Sequence, residues 1–195
     1  MIIICAIFSF AISMVNYSTL DLLKKNEKLH LNRVLSNAFM LKVSGEKPED
    51  YEKSISDNIE IIKIKPDKKV ITYYKNKSNG NVGFAIQGRG FWDLIKVVIV
   101  LTPDLKTIQN IQVLEQKETP GLGARIEELQ FTDKFKGINI PWESAIKKRI
   151  VMGGPAAQNR IDAITGATQT SIAFIAMINS ELNRIKQIHT KGKVK

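Results

Sequence analysis

One cysteine, Cys5, and two histidines, His30 and His189, are all that the 195 residues offer of the side chains that build disulfides and zinc centres. An internal disulfide is therefore impossible, and a Cys/His zinc site is excluded. There is no Gly-x-Ser-x-Gly and no P-loop, and neither histidine is placed as the base of a nucleophile. Hydrolase and kinase chemistry thus have no starting point. No internal repeat is present. Charge is missing from the first twenty residues, Asp21 being the first charged side chain. What charge there is has one excess sign, 29 basic against 19 acidic residues for a net +10. A nucleic-acid surface would cluster that excess and interleave it with stacking aromatics. Here the lysines are scattered (Lys24, Lys25, Lys63, Lys134, Lys147, Lys148), and only residues 191–195 form a basic tail. No nucleic-acid partner is expected. The charge serves solubility, or attraction to an acidic membrane surface or partner.

A hydrophobic fraction of 44% with 25% charge is ordinary for a globular chain and excludes disorder throughout. Residues 1–20 are apolar and long enough to span a bilayer core as a helix, at roughly 30 Å. No small-x-small cleavage site follows them, which favours a retained anchor over a secretory signal. Leu20, Leu23, Leu31, Val34, Ala38 and Leu41 then recur at helical spacing, and the polar stretch 44–57 reads as a loop. Five β-like runs follow, at 59–64, 70–74, 82–86, 95–101 and 107–114. They are punctuated by Lys-Pro-Asp at 65–67, Ser-Asn-Gly-Asn at 78–81 and Thr-Pro-Asp at 102–104. The run at 95–101 is the most apolar and is expected at the sheet centre. A short helix is expected over 124–129, and an apolar run at 150–152 leads into Gly153-Gly154-Pro155. The clearest helix is the last, with Ile172, Ile175, Met177 or Ile178, Leu182, Ile185 and Ile188 on one face. The predicted architecture is one α+β domain with a central, mostly antiparallel sheet flanked by helices. Its plan is an anchor at 1–20, an amphipathic helix and linker at 21–57, the domain at 58–190 and the tail at 191–195.

Two segments look unlike ordinary packing. In Glu118-Thr119-Pro120-Gly121-Leu122-Gly123, proline fixes one backbone angle while two glycines allow positive φ and close approach of a flat ligand. A tight strand-to-helix loop would look the same. In Asp162-Ala163-Ile164-Thr165-Gly166-Ala167-Thr168, followed by Gln169-Thr170-Ser171, small and hydroxyl residues precede a helix whose free amides suit a phosphate. Simple capping by Thr168 or Thr170 is the competing reading. Gly88-Arg89-Gly90-Phe91-Trp92 is a glycine turn followed by aromatics and lacks the third glycine of a dinucleotide fingerprint.

Taken together, these segments resemble the signatures of FMN-binding domains. DAITGAT resembles the flavinylation motif Asp-x-x-Ser/Thr-Gly-Ala-Thr, and ETPGLG, with GRGFW some thirty residues earlier, resembles the family's second signature. The resemblance runs from about Val82 to Leu182. It covers two covalent-FMN proteins, the C subunit of the sodium-pumping NADH:quinone reductase (Nqr) and the G subunit of the Rnf ferredoxin:NAD oxidoreductase. It implies FMN joined through its phosphate to Thr168 by a flavin transferase, with Asp162, Thr165, Gly166 and Ala167 as surrounding recognition residues. It further implies that Glu118, Thr119, Gly121, Leu122 and Gly123 lie at the isoalloxazine, with Trp92 near the ring or beneath it. The implied function is electron relay within a membrane-bound, ion-translocating complex. The partners are the other subunits, and the domain lies on the extracytoplasmic side. The compact length and TGAT lean toward the Rnf type, GRGFW and GGP toward the Nqr type. Lys24, Lys25 and Lys28, read by flanking charge alone, would leave the domain in the cytoplasm. Competing functions are a stand-alone extracytoplasmic flavoprotein reductase and a non-redox membrane-anchored binding module.

Overall fold

A computed structural model of the chain describes residues 1–64, 71–153 and 159–190. The expected turn at 65–67, Gly154-Pro155 and the basic tail lie outside the described residues. A helix, α1 (Ile2–Ala38), runs unbroken from the apolar N-terminus into the globular part. A second helix, α2 (Pro48–Asn58), occupies most of the stretch read above as a loop. Its sequence is polar because only Ser54 and Ile55 are buried. Its start is nonetheless marked by proline in the first turn with Glu49 and Asp50 beside it.

Five strands follow: β1 (Ile59–Ile64), β2 (Ile71–Asn76), β3 (Val82–Arg89), β4 (Leu94–Leu101) and β5 (Ile108–Glu115). They form one antiparallel meander in sequence order. The middle strand is therefore β3, not the apolar run in β4. The reason lies in coverage. Ile95, Val97, Ile99 and Leu101 enter one core while Val98 and Val100 enter a second on the opposite face. Continuous apolarity reports burial of both faces.

After β5 come a 3₁₀ turn (Gly123–Glu127), the short helix α3 (Leu129–Thr132), and a two-stranded parallel pair, β6 (Val151–Met152) and β7 (Arg160–Ile161). The chain then enters α4 (Thr168–Thr190). The larger core lies between the sheet and α4, which buries Phe174, Ile175, Met177, Ile178, Leu182, Ile185 and Ile188. Ile172, expected on that face, is 44% exposed, and Phe174, which the spacing did not single out, is fully buried. At Gly88 a side chain would strike Met177, so the glycine sets how closely α4 approaches β3. Phe131, Phe135 and Phe174 meet edge-on at 5.5–5.6 Å and tie the α3 segment to the first turns of α4.

The second core packs Val34, Leu35, Ala38 and Phe39 at the end of α1, with Ile55 and Ile59, onto Tyr74, Val98 and Val100. From about Leu31, before the expected start of the domain at residue 58, the last turns of α1 thus pack against part of this sheet face. Two side chains register that helix on β5. Asn110 Nδ2 donates to the carbonyls of Asn37 and Ala38, at 3.0 and 3.1 Å. His30 Nε2 donates to the carbonyl of Leu114 at 2.7 Å. Leu114 has no partner in the β4 register, where Val97 faces Val113 and Lys96 faces Glu115. This bulge leaves its carbonyl available to the histidine.

Candidate functional site

At the end of the sheet where β3 turns into β4 and β5 ends, three segments converge. The β3–β4 turn is closed by a hydrogen bond from Gly90 N to Asp93 O. Gly90 is buried, and a side chain there would run into Glu118 and Ile95. The turn carries Phe91 and Trp92 outward, 47% and 66% exposed, with their rings edge to face at 5.1 Å. Opposite lies the 118–123 loop, in which Gly121 takes φ +73° and the amides of Leu122 and Ala124 donate to Thr119 O. The third segment is the turn into α4. Gly166 adopts φ +80°, Ala167 N donates to Ile164 O, and Ser171 Oγ accepts from Ile164 N while donating to Ala167 O. Ser171, not Thr168 or Thr170, thus fastens the helix start.

Between these segments opens a cleft of about 410 Å³ lined by Phe91, Trp92, Thr119, Leu122, Gly123 and residues 166–170. Both signature segments therefore meet in one place. Thr168, the first residue of α4, is exposed on the cleft, and among the described residues no hydrogen bond engages its hydroxyl. The amides of Thr168, Gln169 and Thr170 precede the first intrahelical bond, from Ser171 N to Ala167 O, and so are open to an anion.

One buried group holds the walls together. Glu118, 5% exposed, accepts the Trp92 amide hydrogen at Oε1 (3.0 Å) and the Thr170 hydroxyl at Oε2 (2.8 Å). Its own amide donates to Gln116 Oε1. A Cβ at Gly123 would stand 2.7 Å from Thr170 Oγ1 and 2.9 Å from Glu118 Cβ, so only glycine leaves room for this bridge. Lys117 and Asp93 pair at 3.5 Å across the same two loops. The Asp93 carboxyl is held below its ordinary value, first by the Leu94 amide and then by Lys117.

Of the residues singled out from the sequence, Trp92, Thr119, Leu122, Gly123, Gly166, Ala167 and Thr168 line the cleft. Glu118 stands behind its wall rather than in it. Gly121 shapes the loop with nothing within 4 Å of a side chain placed there. Thr165 faces a smaller neighbouring hollow with Arg125, Glu128 and Lys134, and Asp162 is exposed, its carbonyl accepting from Lys134 Nζ at 3.3 Å. Phe91, Gln169 and Thr170 join the lining without having been singled out as site residues. The first two adjoin named residues in sequence. The link from Thr170 to Glu118, across 52 positions, has no local signal.

The residues fit a flat heterocycle carrying a phosphate. Phe91, Trp92 and Leu122 offer apolar faces, Gly123 and Gly166 allow close approach, and the open amides stand beside a free hydroxyl. Among the described residues, no group of acidic, histidine or cysteine side chains could hold a metal ion.

Comparison with known proteins points the same way. Residues 90–183 match the FMN-binding domain family. The G subunit of the ion-translocating oxidoreductase complex of Methanosarcina acetivorans is 32% identical over 120 residues, 60% of this chain and 59% of that one. The C subunit of the Na(+)-translocating NADH-quinone reductase of Vibrio alginolyticus is 29% identical over 65% of this chain and 52% of its own. The alignment thus spans about half to three-fifths of these two relatives. The G subunit of the Na(+)-translocating ferredoxin:NAD(+) oxidoreductase complex of Acetobacterium woodii is 27% identical over 92% of this chain and 86% of its own. Among solved structures, the C subunit of the Na(+)-translocating NADH-quinone reductase from Parabacteroides distasonis superposes with a TM-score of 0.69 at 22% identity, covering 83% of this chain and 92% of that one. Shewanella oneidensis NqrC superposes with a TM-score of 0.63 at 18% identity, covering 83% and 99%. These two share the α+β fold. By its matched signatures and these relatives, residues 90–183 of the chain are similar to the FMN-binding domain that the G and C subunits of these complexes share.

Proposed function

We propose that the chain is an electron-carrier subunit of a membrane-bound, ion-translocating oxidoreductase complex of the Rnf or Nqr type. It holds FMN through a phosphoester to Thr168. Bound FMN would supply reversible one- and two-electron redox chemistry. The chain's own residues bind and orient it. The amides of Thr168, Gln169 and Thr170 face the phosphate, and Leu122, Phe91 and Trp92 flank the ring and keep water from it. Glu118 holds the Trp92 turn against the helix start. The residues Asp162 and Thr165 serve recognition by a flavin transferase, which the exposed position of Asp162 permits. Helix α1 anchors the chain, since its apolar N-terminal stretch is long enough to cross a membrane and none of that stretch is buried against the protein. The domain works on the extracytoplasmic side, among the other subunits of the complex.

The observation that carries the reading is the free, exposed Thr168 hydroxyl at the start of α4, in a cleft shared by both signature segments. Co-expression with a flavin transferase, followed by intact mass measurement, tests it. The wild type gains the mass of FMN less water, and Thr168→Ala gains none while staying folded. Thr170→Ala keeps the adduct, because it retains the acceptor hydroxyl, whereas Thr165→Ala lowers its yield without moving it from residue 168. A persistent adduct in Thr168→Ala, or one mapped to a peptide lacking residue 168, overturns the assignment.

A further inference from the structure

The cleft lies at the end of the sheet toward which the N-terminal part of α1 points. The two registering contacts fix that direction. Asn37 and Ala38 sit over Asn110, near the start of β5, whereas His30 sits over Leu114, near its end. Tracing α1 backward from His30 is therefore the same as tracing β5 forward from Leu114 toward Glu118. At 1.5 Å per helical residue, His30 to Asp21 covers roughly 14 Å. At 3.4 Å per extended residue, Leu114 to Glu118 covers at most roughly 14 Å. The end of the uncharged segment and the cleft rim thus stand at one height. At that height the rim exposes Phe91, Trp92, Leu94 and Leu122, each 47–66% accessible, with Arg89 and the Lys117–Asp93 pair between them. Apolar and aromatic groups mixed with paired charges are what the bilayer–water interface retains.

We propose that this rim seats on the lipid headgroup region, so that the FMN cleft opens against the membrane surface instead of facing bulk solvent. The proposal rests on the anchor reading of α1 given above. The continuous helix supports it, because no break between Leu20 and Ala38 lets the domain turn its cleft away.

The chain carries two tryptophans placed for the test. Trp92 is on the rim. Trp142 lies at the opposite end of the sheet, its indole donating to Leu105 O in the β4–β5 loop. Flavin-free full-length protein is reconstituted into phosphatidylcholine vesicles, with or without bromine on the acyl chains near the headgroup, and floated on a density gradient. Trp92→Phe, at an exposed position, isolates the Trp142 emission, and its difference from wild type is the Trp92 emission. The expected result is co-flotation with a loss of Trp92 emission in brominated vesicles and no loss for Trp142. Flotation with both tryptophans unquenched overturns the proposal and leaves the anchor standing. Absence of flotation overturns the anchor reading and the proposal together. Trp92 left unquenched in vesicles but shielded from iodide once the other subunits are added overturns it in favour of a protein partner.

Discussion

Replacing Glu118 by alanine should destabilise the domain by about 2–4 kcal/mol. The figure follows from the two donors that the carboxylate satisfies. Thr170 is 4% exposed, so its hydroxyl, now 2.8 Å from Oε2, would be left buried without an acceptor. An unmet buried group of that kind costs about 1–3 kcal/mol. The Trp92 amide, in a partly exposed turn, can turn to water and costs less. The vacated space beside Gly90 and Gly123 adds a packing loss. Relief from desolvating a carboxylate opposes these losses. Glu118→Gln measures that opposing effect, since it keeps the shape. Its oxygen still accepts from Trp92, and the Thr170 hydroxyl can rotate to accept from the amide, so the change stays within about 1 kcal/mol. For a domain of this size the alanine variant should melt roughly 5–15 °C lower. Thermal melts of the flavin-free full chain in detergent, followed by circular dichroism, read both. Thr170→Val should cost a similar amount, and the double variant less than the sum, because the two side chains share one bond. An unchanged Tm in Glu118→Ala, or strict additivity with Thr170→Val, refutes the bridge.

Other outcomes follow from the same geometry. Gly166→Ala forces a side chain into φ +80° and to 3.2 Å from Leu122 Cδ2, so it should cost about 1–2 kcal/mol and lower FMN loading in the intact-mass assay. Ile175→Asp, which buries an unpaired carboxylate at a position 5% exposed, should abolish the folded state, whereas Ile172→Asp, 44% exposed, should melt close to wild type. Leu35→Ala, at 1% exposure in the second core, should cost about 2–5 kcal/mol, and the measurement checks that α1 belongs to the domain. Burial raises the Glu181 carboxyl above its ordinary value, with Arg184 only partly offsetting it. The folded state then holds a proton that the unfolded state has lost, so this group costs stability as pH rises past the ordinary carboxylate range. Glu181→Gln should remove that cost, seen as a smaller difference between urea melts at mildly acidic and mildly alkaline pH.

The sheet was legible because its strands are short apolar runs separated by proline, asparagine and glycine, each a local signal. Helix α2 was not, since a helix that buries only Ser54 and Ile55 shows little periodicity, and its capping pattern was the better guide. The face of α4 was half legible. Apolar spacing admitted Ile172 to the stripe and passed over Phe174, and only the aromatic cluster around Phe131 and Phe135 decides between them. At the site, the glycine and hydroxyl segments announced themselves by composition. The role of Glu118 did not. A loop carboxylate aimed at a ligand and one turned inward to a hydroxyl 52 positions away look alike in sequence.

A helix that is both anchor and core element has a phase as well as a length. Because α1 runs unbroken from Ile2 to Ala38, each residue between Leu20 and His30 sets the azimuth of the domain about the helix axis. Inserting one residue there would swing the domain by roughly 100° and raise it about 1.5 Å, whereas inserting seven would return it to nearly the same bearing, about 10 Å higher. Bearing and height can therefore be varied almost independently by insertion. In the proposed electron-carrier role, exchange with neighbouring centres would then depend on the number of residues in this short stalk as much as on their identity.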